Sequence, residues 1–159
     1  MAEEVKVLPK KYLVFRLNDS QYGVSLAQVK EVIALPTMVP IPQAPSYLMG
    51  MINLRGRVIS AVDLKTKMGF AKTKYDPKKT TVILIEHEST IVGFIVDSIQ
   101  EVIAVLPTDI EGAADATTSA GLKDYMLGVA RFEKRPMVLL VDLAKIIQVS
   151  EMSLKAPAA

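Results

Sequence analysis

Gly23 to Pro36 reads GVSLAQVKEVIALP, and Gly93 to Pro107 reads GFIVDSIQEVIAVLP. Gly and Glu stand eight apart in both, so Gly23 matches Gly93 and Glu31 matches Glu101. Leu26, Val29 and Val32 then fall on Val96, Ile99 and Val102. Further out, Tyr47-Leu48-Met49-Gly50 matches Tyr125-Met126-Leu127-Gly128, and Ser60-Ala61-Val62-Asp63-Leu64 matches Leu139-Leu140-Val141-Asp142-Leu143, with one residue inserted between these blocks in the second copy. A single block of this kind is what Gly-turned β sequences share by chance. Several in the same order make an internal repeat, two copies of one supersecondary unit.

Each copy offers about five short strands, rich in Val, Ile and aromatic residues and bounded by turn clusters. In the first copy they are Tyr12 to Leu17, Gln21 to Ser25, a stretch around Val32 to Ile41, Gly50 to Leu54 and Arg57 to Val62. In the second they are Thr80 to Glu86, Thr90 to Val96, Glu101 to Leu106, Met126 to Phe132 and Pro136 to Val141. Leu26, Val29 and Ile33 keep the spacing of a short helical turn between the second and third strands. Five short strands close into a small barrel, which removes exposed edges. The expected fold is therefore mainly β: two pseudo-repeated five-stranded barrels, SH3-like or OB-like, packed around a shared hydrophobic core with short helices. The first barrel is placed at about 12–64 and the second at about 80–147, with a lysine-rich connector over 65–79 and a tail over 148–159, all in one domain of 159 residues.

Composition narrows the chemistry. The chain is 50% hydrophobic, with no Cys, no Trp, one His and a formal charge of +2. At this length folding buries roughly 70% of the extended chain's surface, so a core is available without disulfides or a structural metal. Thiol catalysis, Cys-containing zinc sites and multi-histidine metal sites are absent, while carboxylate-only magnesium chemistry passes the filter. The amino terminus is acidic at Glu3 and Glu4 and leads to no apolar run of secretory length, and no apolar stretch is longer than Met137 to Val141, far short of the ~20 residues that span a bilayer. A cytoplasmic location is expected. Residues 1–79 carry thirteen Lys and Arg against six Asp and Glu, and residues 80–159 carry six against eleven. If each half is one barrel, this asymmetry lets two similar barrels present different faces to different partners.

The individual chemical groups weigh little. His87 lies in Glu86-His87-Glu88-Ser89, a hairpin turn facing water, where a triad has no pocket to form in. Asp63 and Asp142 are repeat equivalents at strand ends, so they are expected to do one structural job twice, capping the turn that follows. No phosphate-loop pattern of the G-x-x-x-x-G-K-[ST] or G-x-G-x-x-G type occurs. Lys65, Lys67, Lys72, Lys74, Lys78 and Lys79 offer phosphate contacts, but only Phe70 and Tyr75 lie among them for base stacking, so a solvated linker is the preferred reading over a nucleic-acid surface. Asn53-Leu54-Arg55-Gly56-Arg57 reads as a hairpin turn, and the second copy has Arg131-Phe132-Glu133-Lys134-Arg135-Pro136 in its place. A turn that one copy keeps and its twin lacks is not required by the fold and is a better candidate for a contact.

With these motifs the sequence resembles the CheW-type coupling proteins of bacterial chemotaxis. The resemblance runs through Tyr12-Leu13-Val14-Phe15-Arg16-Leu17, Tyr22-Gly23-Val24, Val29-Lys30-Glu31-Val32, Ile41-Pro42-Gln43-Ala44-Pro45, Gly50-Met51-Ile52-Asn53-Leu54-Arg55-Gly56 and Ala61-Val62-Asp63-Leu64, and through Val92-Gly93-Phe94-Ile95-Val96-Asp97 to about Ile147. Arg57 departs from the pattern, standing where family members often have an apolar residue.

The resemblance implies a non-enzymatic adaptor, with no cofactor and no metal, that joins the cytoplasmic tips of chemoreceptors to the regulatory domain of the histidine kinase CheA. It implies recruitment to receptor arrays at the inner membrane through those partners, with no nucleic acid bound and no direct membrane contact. At this length it leaves no room for an appended receiver or kinase domain. Carried over by motif, Val29, Glu31, Val32 and Arg55 belong to the receptor-facing region, with Ile99 and Val102 as second-barrel neighbours. No kinase-docking residue is carried over. A helical hairpin presents apolar side chains that a Val-lined groove accepts, and one folded unit with two faces raises effective concentration without chemistry. Glu31 and Arg55 are expected to form an ion pair beside that groove. The competing reading is a β-barrel nucleic-acid-binding protein that uses the lysine-rich connector.

Overall fold

The computed structural model describes residues 8–71, 73–112 and 125–149. The strands are β1 (Lys10–Leu17), β2 (Ser20–Ser25), β3 (Val29–Ala34), β4 (Leu48–Leu54), β5 (Arg57–Asp63), β6 (Thr81–His87), β7 (Thr90–Val96), β8 (Ser98–Val105), β9 (Ile110–Glu111), β10 (Met126–Ala130) and β11 (Val138–Val141). Two short helices, α1 (Leu64–Lys67) and α2 (Leu143–Val149), follow β5 and β11. The protein is mainly β, as expected.

The strands form a six-stranded sheet ordered β8-β1-β2-β11-β10-β9 and a five-stranded sheet ordered β3-β6-β7-β5-β4. Replacing each strand by its repeat equivalent turns the second order into the first apart from the added edge strand β9, so the repeat is structural. The sheets, however, are not residues 12–64 and 80–147. The hairpin β1–β2 sits with β8, β10 and β11 of the second copy, and β6–β7 sits with β3, β4 and β5 of the first. The cause lies in the crossovers. After β2 only the 3-10 turn Leu26–Gln28 precedes β3, and after β7 only Asp97 precedes β8, too little chain to return to the same sheet. Each copy therefore lends its first hairpin to the other, docked by the parallel pairings β2–β11 and β5–β7.

This exchange explains why β1, β6 and β7 read as unbroken apolar runs. Tyr12 and Val14 face the interior of the six-stranded sheet with Val138 and Leu140. Val82 and Leu84 face the interior of the five-stranded sheet with Ile52 and Ile59. The alternate residues Leu13, Phe15, Ile83, Ile85 and Phe94 meet in a third cluster between the sheets. A strand buried on both faces has no polar phase. Phe15 also stacks on Tyr22, ring centroids 6.0 Å apart.

The outer edges are joined by the chain itself. β8 turns at Pro107–Asp109 into β9, which pairs with β10, and the chain beyond β3 returns as a bridge between Val39 and Met51 of β4. At both crossings a glycine stands just before the paired residue, Gly50 before Met51 and Gly128 before Val129. A Cβ on Gly50 would lie 2.5 Å from the Val39 carbonyl oxygen, and one on Gly128 would lie 2.5 Å from that of Glu111. These are the glycines that the Tyr-Leu-Met-Gly and Tyr-Met-Leu-Gly blocks aligned, and close approach of backbone explains them.

Several expectations are revised. The third strand begins at Val29 and stops at Ala34, before Pro36 and Pro40, because proline cannot donate to a ladder. The helical turn covers Leu26–Gln28 only, leaving Val29 and Ile33 in β3. α2 runs past the start of the expected tail, burying Leu143, Ala144, Ile146 and Ile147, while 150–159 lie outside the described residues. The charge split does not separate two barrels, because the Glu86 and Glu88 hairpin belongs to the sheet built on the basic first copy. Lys30 accordingly pairs with Glu86 at 3.3 Å across β3 and β6. The connector is not wholly solvated: Lys65 and Met68 are buried and Tyr75 packs on the five-stranded sheet's interior cluster. Lys72 lies outside the described residues.

Candidate functional site

The site is built from two bulged edge strands and one turn. In β3, Val29 stands opposite Ile85 but Glu31 stands opposite Leu84, so Lys30 is an extra residue, a β-bulge. Residues directly opposite in an antiparallel pair share a face. The bulge therefore puts Val29 and Val32 on the side of Ile85 and Ile83, toward the other sheet, and turns Glu31 to the opposite side. β8 repeats this: Ile99 stands opposite Phe15 and Val102 opposite Leu13, with Gln100 as the bulge and Glu101 opposite Val14. The four expected aliphatic positions thus issue from both edge strands onto the face between the sheets. Val29 and Ile99 are partly buried against the intersheet cluster, while Val32 and Val102 are 39% and 48% exposed.

Glu31 meets the β4–β5 turn. Arg55 and Gly56 both have positive φ, 52° and 85°, the type I′ geometry that twists with a hairpin. Asn53 Oδ1 accepts the Gly56 N–H at 3.1 Å and closes the turn. Arginine at such a φ costs the fold something that Gly or Asn would not. Its guanidinium grips Glu31 with both nitrogens, Nη1 to Oε1 at 2.9 Å and Nη2 to Oε2 at 2.6 Å. That hydrogen bond, ahead of the charge, holds the Glu31 carboxyl below its ordinary value of 4.5 and raises Arg55 above its own. The expected ion pair is present, with the Arg55 side chain 70% exposed.

The second copy carries a twin that sequence reasoning missed. Glu101, the equivalent of Glu31, pairs with Arg135 at 2.7 Å. Arg135 also donates to Gln21 Oε1 at 3.2 Å, lies over the Phe132 ring and is only 23% exposed. The register match of Glu101 to Glu31 was the available signal, since it calls for a base in the β10–β11 connection. Arg131 of that connection pairs with Glu111 at 2.8 Å.

The remaining candidates serve the fold. Asp63, buried, caps α1 through the Thr66 N–H and accepts the Tyr75 hydroxyl at 2.7 Å; burial first, then Asp63, pushes that phenol well above its usual range. Asp142 caps α2 through the Lys145 N–H and accepts from Gln28 at 3.0 Å. The backbone N–H of each Asp donates at 2.8 Å to the carbonyl of its repeat-equivalent tyrosine, Tyr47 and Tyr125. His87 ends β6 beside the Glu88-Ser89 turn, 3.8 Å from the Glu88 carboxylate. With Tyr75 turned inward, Phe70 is the one outward aromatic in the connector's described residues. Among the described residues there is no acidic or histidine cluster that could hold a metal ion and no helix long and apolar enough to cross a membrane.

Comparison with known proteins gives the family. A family model described as "CheW-like domain" matches residues 11–151. The chemotaxis protein CheW of Klebsiella aerogenes is 28% identical over 145 residues, covering 91% of this chain and 86% of that one. The CheW of Bacillus subtilis is 32% identical over 140 residues, covering 88% and 86%. The crystal structure of the scaffolding protein TtCheW from Thermoanaerobacter tengcongensis superimposes with a TM-score of 0.79 at 30% identity, covering 90% of this chain and 95% of that one.

Proposed function

The chain belongs to the CheW-like domain family, and from that membership we propose that this chemotaxis scaffold couples chemoreceptors to the histidine kinase CheA without catalysing a reaction. Its work is to hold two partners at once. The receptor's helical cytoplasmic tip lies against Val29, Val32, Ile99 and Val102, with the Glu31–Arg55 pair at its edge, and the kinase regulatory domain docks elsewhere on the sheets. Receptors bring the complex to the membrane.

The observation that carries this reading is the paired bulge at Lys30 and Gln100, which turns aliphatic side chains of both repeats onto one intersheet face. Two half-buried and two exposed aliphatic residues suit the apolar stripe of an amphipathic helix, which is read at 3 to 4 residue spacing. The exposed guanidinium and carboxylate beside them supply polar register. The test is gel filtration of the full chain mixed with a receptor-tip hairpin and CheA. Co-elution of all three is expected, and elution of the chain free of both partners would overturn the proposal.

A further inference from the structure

We propose that the lysine-rich connector and the β1–β2 hairpin form a binding site for small ligands carrying two or more phosphate groups. A cleft of about 370 Å³ opens where the connector passes the end of β1 and the β7–β8 crossover. Its wall carries four cations, Arg16, Lys65, Lys74 and Lys79, against two carboxylates, Asp76 and Asp97. None of these residues belongs to the Glu31–Arg55 edge or to the four aliphatic positions.

Of the two carboxylates, Asp97 is neutralised by an ion pair, while Asp76 holds only a backbone N–H and keeps its charge, so the wall's four cations and two carboxylates leave a net +2. Asp97 takes the Lys65 ammonium at 2.9 Å on one oxygen and the Asn18 N–H at 2.7 Å on the other. Asp76 takes the Lys78 N–H at 2.9 Å. Lys65 is 4% exposed and also donates to the Thr73 hydroxyl, so it forms a fixed, internally satisfied floor. Arg16, Lys74 and Lys79 make no ion pair among the described residues and line the same opening from different segments. Ser98 Oγ accepts from Gln100, which leaves its O–H proton to donate, while Thr80, buried, accepts the Asp76 N–H and holds the connector's turn.

Unpaired ammonium and guanidinium groups converging with a hydroxyl donor match a phosphate's charge and its many acceptor oxygens. Cations arriving from separate segments suit two phosphates better than one. With no aromatic platform on the wall, a nucleobase gains nothing there.

The test is calorimetric titration of the full chain with pyrophosphate at low ionic strength, paired with sedimentation on vesicles of phosphatidylglycerol and phosphatidylcholine in equal parts. Saturable one-to-one binding is expected, weakened by salt, and reduced about tenfold or more in the Lys74→Gln, Lys79→Gln double variant, whose exposed positions leave the melting temperature unchanged. Vesicle retention that pyrophosphate displaces would make a lipid headgroup the source of the phosphates, and its absence would make the ligand a soluble one. No saturable heat with pyrophosphate, or undiminished binding by the double variant, would overturn the proposal, as would an oligonucleotide that binds while pyrophosphate does not.

Discussion

Glu31 and Glu101 occupy the same place in the two repeats, both follow a bulge, and both hold an arginine, yet the arginines arrive by different routes. Arg55 comes from a two-residue turn that forces it to φ 52° and leaves its side chain 70% exposed. Arg135 comes from a seven-residue connection, 131–137, and is tied to Gln21 and Phe132 besides its carboxylate. The difference is in how each arginine is held: Arg135 is packed, and Arg55 stands exposed at a backbone cost. Under the proposed function, the exposed arginine is the one a partner can reach.

The comparison breaks first if the repeats do not share their scaffold. Gly50→Ala and Gly128→Ala should each destabilise by about 2–4 kcal/mol in chemical denaturation, because each new methyl meets a backbone carbonyl that cannot move without opening the edge. A large effect at only one of the two would mean the closures are not equivalent. Next comes Arg135→Ala, which removes a hydrogen bond, an ion pair and a ring contact from a mostly buried group and should cost about 1–2 kcal/mol. Arg55→Ala, measured beside it, should leave the melting temperature essentially unchanged. The smallest effect is a titration. Glu31 should titrate below its ordinary value in the wild type and move upward in Arg55→Gln, read by NMR of the side-chain carboxyl. Since its folded value is depressed, the pair is fully formed above the unfolded value and is lost as pH falls through the folded one.

Much of this arrangement was legible in the residues, and the parts that were not share a cause. Gly23 and Gly93, the Tyr-x-x-Gly blocks and Asp63 with Asp142 exposed the repeat, because turns, close approaches and caps demand particular residue types. Arg55 was legible because the Asn-Leu-Arg-Gly turn stood out against its twin, and Glu31 was joined to it through the family resemblance. The hairpin exchange was not, since nothing in the alternation of Tyr12 to Leu17 names the strand that will lie beside it. The same holds for the bulges: Lys30 and Gln100 are ordinary residues, and only register shows that they rotate Val32 and Val102 toward the other sheet. α2 was legible and overlooked, for Leu143, Ile146 and Ile147 keep helical spacing after a capping Asp.

The most direct measurement is the affinity of the full chain for a receptor-tip helical hairpin, wild type against Arg55→Gly, with melting temperatures taken on the same samples. Glycine accepts positive φ without strain, so the variant should melt at or above the wild type. Its binding to the hairpin should fall about tenfold or more, as for an interface anchor. Affinity equal to the wild type's in a normally melting variant would contradict a receptor role for the Glu31–Arg55 edge.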